Sequence, residues 1–205
     1  MGGFLEWSEP RPGSPSLSHL EGWFFLSAAL LLVSGGAKLA DPVPTSGALR
    51  VAGLASGSGV VYTLAVAEIA TGASSLLAGG ALAGWALAAL YGSFGLFVAY
   101  ALHRHIPISS CGCFGKVDTP PSFMHLILNF GGLVGGVWAA VTSGPSLISV
   151  LAEQPLAGVP YLAFVAAGTY AAYLLLTILP VLSQPQMAGH ASDHQTGRAT
   201  SGIAR

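Results

Sequence analysis

The chain has 205 residues, 53% of them hydrophobic and only 7% charged, where an ordinary soluble domain carries roughly 25% charged residues. So few charges cannot clothe a water-soluble surface. A net charge of -1, with seven Lys plus Arg spread thinly, leaves no basic stripe for a phosphate backbone, which excludes nucleic acid as a partner. The apolar residues gather instead into runs long enough to cross a hydrocarbon core of roughly 30 Å. The lipid bilayer is therefore the expected surrounding, with the cell (plasma) membrane the expected location, and the fold class is an all-α, polytopic transmembrane helical bundle.

Residues 1–20 form a polar lead with Pro10, Pro12, Pro15, Glu6, Glu9 and Arg11. They lack the basic start of a signal peptide, and the apolar run that follows is too long for one. The first span is predicted from about Gly22 to Ala40, stopped by Asp41-Pro42-Val43-Pro44, since proline disfavours helix at the residue before it. A weakly apolar connector leads to a second span, about Ser58 to Gly79, and a tight glycine-rich turn to a third, about Leu82 to Leu102. A polar loop from His103 to Ser122 precedes a fourth span, about Phe123 to Val141. The stretch from Ser143 to Pro155 is only moderately apolar and contains Glu153, so it reads as interfacial. A fifth span is predicted from about Leu156 to Leu182, and residues 183–205 read as a disordered polar tail. Gly131, Gly132, Gly135 and Gly136 make two small-xxx-small pairs, a pattern that lets helix backbones approach closely in lipid.

The concentrated chemistry is Cys111-Gly112-Cys113 in the loop between the third and fourth spans. Gly112 tolerates backbone angles that bring the two thiols within bonding reach, and a bridge there would close a small, strained ring. Such a bond is easily reduced and stabilises the fold little, which suits a transferable disulfide better than a structural one. Lys116, His105 and Arg104 are near in sequence and would favour the reactive thiolate if they fold close. Two alternatives stand beside this one. The cysteines form a reduced pair that merely caps the loop, or His103, His105, Cys111 and Cys113 hold zinc or copper(I), although the spacing within each pair is shorter than in ordinary zinc knuckles. Nothing in the chain calls for a resident cofactor.

Glu68 falls near the middle of the second span, where an ionisable group is expensive and is expected to face the bundle interior. Lys38, near the end of the first span, is its expected partner. The pair is either a structural lock on helix register or part of proton or redox coupling. His125 and Asn129, four residues apart, share one face of the fourth helix, where they line a cavity or bond between helices.

Three motifs, Ser34-Gly35-Gly36-Ala37-Lys38-Leu39-Ala40-Asp41-Pro42, Ala67-Glu68-Ile69-Ala70-Thr71-Gly72 and Ser110-Cys111-Gly112-Cys113-Phe114-Gly115, together resemble the MauE (methylamine utilisation) branch of the DoxX-like membrane proteins. The resemblance covers about Gly22 to Val141, and the Cys-Gly-Cys-Phe-Gly run is its most specific part. It implies a four-helix core plus a fifth helix, thiol and disulfide traffic, and a thioredoxin-like partner during maturation of proteins outside the cytoplasm. Cys111 and Cys113 would be the redox pair, and Lys38, Asp41 and Glu68 match family-typical positions. DoxX-like proteins also include subunits of larger oxidase assemblies, so an accessory subunit of a membrane complex is the alternative function. The His-Arg-His before the loop and the polar tail are not family features.

Five crossings put the first connector, the cysteine loop and the tail on one side. Lys38, Arg50, Arg104 and Lys116 against Arg11 place that side in the cytoplasm by the positive-inside rule. Oxidising thiol chemistry favours the opposite side, and the sequence leaves the conflict open.

Overall fold

A computed structural model describes residues 19–106, 121–153 and 155–177. Cys111, Cys113 and Lys116 lie outside the described residues, as do most of the polar lead and the tail. Among the described residues every element is a helix: α1 (His19–Ala40), α2 (Val43–Val51), α3 (Ser58–Leu77), α4 (Gly80–His103), α5 (Phe123–Thr142), α6 (Leu147–Glu153) and α7 (Pro155–Thr177). Four of them, α1, α3, α4 and α5, are long and apolar enough to cross a membrane. They fall within a few residues of the first four predicted spans. The long helix α7 begins where the fifth was expected, and residues 178–182 of that span lie outside the described residues. The stretch read as interfacial contains α6, which at seven residues is too short to cross.

One element was not anticipated. The connector after α1 holds α2, a nine-residue helix with a proline in its first turn. The same prolines that end α1 thus begin the next helix, because proline lacks an N–H that the first turn would leave unbonded anyway.

Helix α1 is the hub. Half of its membrane window is buried, against a third for each of α3, α4 and α5. Phe24, Phe25, Ala28 and Leu31 from α1 meet Leu87 and Tyr91 from α4, Ala139 from α5 and Val165 from α7 in a single core. The buried Tyr91 hydroxyl donates a 2.8 Å hydrogen bond to the Ser27 carbonyl, joining α4 to α1. Large apolar side chains face outward, among them Leu82 at 85% and Leu96 at 74% exposure. Water would penalise such a surface, whereas hydrocarbon matches it.

Helix spacing follows from missing side chains. A Cβ on Gly132 would strike the Tyr91 ring at 2.5 Å, and one on Gly136 would lie 2.7 Å from the Ala88 nitrogen, so this pair faces α4. The staggered pair faces α1 instead, Gly131 against the Trp23 ring at 3.1 Å and Gly135 against the Phe24 nitrogen at 3.1 Å. The two small-xxx-small pairs therefore let α5 approach two different neighbours. The turn from α3 to α4 uses Gly79 and Gly80, both with positive φ (64° and 84°), and the Gly80 N–H bonds the Gly144 carbonyl at 2.8 Å. A side chain would be strained at either position.

Gly136→Leu should therefore lower the thermal midpoint in detergent, at a cost of about 1–3 kcal/mol from overpacking. Gly36→Ala, with nothing within 4 Å of the new carbon, should shift stability by less than about 0.5 kcal/mol. Equal losses in the two variants would remove the claim that the glycine faces set the spacing.

Candidate functional site

The polar centre of the bundle grows from the contact of α1 with α3. Gly35 allows it at one level, where an added Cβ would lie 2.7 Å from the Ile69 side chain and 2.8 Å from the Ala65 carbonyl oxygen. Gly72 allows it at another, 2.7 Å from the Ala28 carbonyl oxygen. At the Gly35 level lies Glu68, in the middle of α3 and fully buried. Lys38 stands near the end of α1, and helical side chains lean toward the N-terminus. Its ammonium thus turns back into the bundle, and the residue is only 3% exposed.

The Lys38 Nζ is 2.8 Å from Glu68 Oε1 and donates a hydrogen bond of 3.0 Å to Oε2. Oε1 is the nearer oxygen, in direct ion-pair contact with the ammonium. Nζ also donates to the Ser34 hydroxyl at 2.6 Å, one turn back on α1, and the Ser34 hydroxyl in turn bonds the Glu68 carboxylate. The Phe94 ring from α4 sits beneath the ammonium, 5.8 Å from centroid to Nζ, where the negative ring face attracts a cation. Three spanning helices thus converge on one neutral charge pair. The sequence had pointed to the two ends of the pair. Ser34 lay one turn from Lys38, a spacing that could have flagged it, but nothing in the chain announces Phe94.

The other predicted residues are not gathered there. His103 and His105 are exposed at the end of α4, and His105 has a left-handed φ of 49°. Among the described residues no three His, Cys, Asp or Glu side chains cluster as a metal site. His125 is buried, and Nδ1 accepts a 3.3 Å bond from the Ser122 N–H while lying 2.8 Å from the Ser122 hydroxyl. It closes the first turn of its own helix, and a backbone donor at Nδ1 leaves the neutral ring proton on Nε2. Asn129 donates to the His125 carbonyl at 2.7 Å, so this bond also stays within α5, while the residue lines an apolar groove against α4. Asp41 accepts from the Val43 N–H at 3.2 Å and helps start α2.

A bundle of apolar helices that encloses an ion pair defines a polytopic helical membrane protein. The family model described as "Methylamine utilisation protein MauE" matches residues 20–142, well over half of the chain, and the protein belongs to the MauE family. The match takes in α1 to α5 and stops before α6. No curated relative and no solved structure matches the chain.

Removing one member of the pair, by Lys38→Met or by Glu68→Gln, strands the other in apolar surroundings and should cost about 3–5 kcal/mol. The double variant Lys38→Met/Glu68→Gln should recover most of that loss, as read from unfolding midpoints in detergent. Strictly additive losses would show that the two side chains are not energetically coupled.

Proposed function

We propose that the protein is a plasma-membrane thiol-disulfide component that exchanges a disulfide between Cys111-Gly112-Cys113 and a thioredoxin-like partner. The observation that carries this reading is a sequence placement. The two cysteines, one residue apart, interrupt two spanning helices of the family-matched region. Support comes also from their mounting, because α4 and α5 are held together by glycine contacts at Gly84, Gly132 and Gly136. The segment 107–120 thus connects two helices that pack closely against each other.

In the oxidising direction for the protein, one cysteine thiolate attacks the partner's disulfide and forms a mixed disulfide, and one partner sulfur leaves as thiolate. The second cysteine, deprotonated, then attacks its neighbour's sulfur. The protein ends as the disulfide and the partner as the dithiol, with two electrons and two protons transferred. The reverse sequence passes a disulfide outward. Lys116 and His105 are proposed to favour the thiolate, and the Lys38-Glu68 pair to hold the scaffold in register.

A second reading, an accessory subunit of a larger membrane complex, draws on a groove of about 630 Å³ between α4 and α5. Gly92 and Gly95 line it, and a Cβ on either would make only ordinary contacts, at 3.8 and 3.5 Å. These glycines are not consumed by packing within the bundle and leave room for an apolar neighbour.

Single variants Cys111→Ser and Cys113→Ser should trap mixed disulfides with a thioredoxin-like protein, detected by nonreducing electrophoresis and mass spectrometry. If neither variant traps one and the double variant keeps full function, the exchange reading fails. Stoichiometric co-purification with other integral subunits that survives loss of both cysteines would favour the accessory role.

A further inference from the structure

The unanticipated helix α2 lies at the end of the bundle where α1 and α4 stop and α3 and α5 begin. Its inner face is committed to the fold. Thr45 and Ala48 are buried, and Ala48 packs with Ala101 from the last turn of α4, beside Phe97 and Ile106. Its outer face mixes two chemistries. Val43 is 70% exposed and Val51 about half exposed, as is Leu54 three residues beyond the helix, yet Arg50 projects among them and is also exposed. Water would disfavour the apolar members, and the bilayer centre would disfavour the arginine. Such a face fits the boundary where acyl chains meet headgroups.

Charge adds the second constraint. Every lysine and arginine among the described residues, namely Lys38, Arg50 and Arg104, belongs to this end. Lys38 is taken up by Glu68, but Arg50 and Arg104 are exposed and form no ion pair among the described residues. The exposed His103 and His105 stand beside Arg104. Among the described residues the acid at this end is Asp41, already bonded to the start of α2. At the opposite end the described residues supply Glu21 and Glu153 and no lysine or arginine.

We infer that α2 and the adjoining end of α4 form a binding surface for anionic phospholipid headgroups, and that this end of the bundle faces the anionic cytoplasmic leaflet. Val43, Val51 and Leu54 enter the acyl boundary, while the Arg50 and Arg104 guanidinium groups donate to lipid phosphates, a geometry suited to their planar fork. The inference does not rest on the thiol chemistry. It does fix the compartment in which that chemistry would begin, since residues 107–120 connect two helix ends on this side.

The full chain, purified in mild detergent and exposed to phosphatidylglycerol or phosphatidylcholine, tests the surface by native mass spectrometry of retained lipid. Phosphatidylglycerol should be retained in preference, with a loss of about fivefold for each arginine in Arg50→Gln/Arg104→Gln, the ratio equivalent to roughly 1 kcal/mol per basic side chain at an anionic surface. Arg50→Lys/Arg104→Lys should keep much of the preference, and it is the variant to measure if the neutral one fails to fold. Equal retention of the two lipids, or a preference unchanged in the glutamine variant, overturns the surface. Sidedness is read separately with Gly57→Cys, in the exposed connector before α3 where a new Cβ meets nothing within 4 Å, in a Cys111→Ser/Cys113→Ser background. A membrane-impermeant maleimide should label inside-out vesicles and not intact cells, and labelling of intact cells overturns the assignment to the cytoplasmic leaflet.

Discussion

A charged side chain inside hydrocarbon has no water to satisfy it, and the Lys38-Glu68 contact is where that constraint acts on this bundle. The pair forms only if α1 and α3 lie almost backbone to backbone, and they do so because Gly35 and Gly72 present no side chain to the Ala65 and Ala28 carbonyls. Close approach in turn lets Ser34 join the carboxylate and ammonium, and the Phe94 ring of α4 covers the cation. The pair gives α1 and α3 one polar register in surroundings where apolar contacts alone discriminate poorly between sliding positions. Its stabilisation against a well-packed apolar replacement is small, because two desolvated charges regain little more than they lost.

Lipid as the surrounding medium decides how much of the architecture is legible in the sequence. Apolar windows near the thickness of a bilayer mark a spanning helix whatever its neighbours do, so α1, α3, α4 and α5 could be placed within a few residues. Depth alone marked Glu68 and its partner. The staggered glycines of α5 announced close packing but not its direction, since Gly131 and Gly135 meet α1 while Gly132 and Gly136 meet α4. That division depends on where distant segments arrive. Helix α2 escaped because nine residues that include Pro44 and Gly47 are too few for a dependable helical pattern, and its inner face is defined by Ala101 on another helix. His125 and Asn129 shared the expected face, yet both bond within α5 rather than across helices.

The two polar features of the molecule differ in kind. The ion pair is a matter of geometry, with distances and burial that a substitution can test. Cys111 and Cys113 rest on sequence chemistry and on family membership, because they lie outside the described residues. What links them is topology. The Lys38 end of α1, both ends of α2, the start of α3, the end of α4 and the start of α5 share one side of the bundle.

That shared side makes the charge distribution consequential. Glu68 neutralises Lys38 within the bundle, so that lysine cannot serve as a surface anchor, and Arg50 and Arg104 are left as the exposed cations at this end among the described residues. An arginine on a short helix with exposed valines would be a poor design for contact with water alone, and a worse one for the bilayer interior. At the headgroup boundary both parts are satisfied together, and α2 becomes the element that holds the bundle at a defined depth. The conflict between charge and thiol chemistry then takes a physical form. A thiol pair on the cytoplasmic side begins in a reducing compartment, where the reduced form is the resting state and a disulfide has to be received from a partner before it can be passed on.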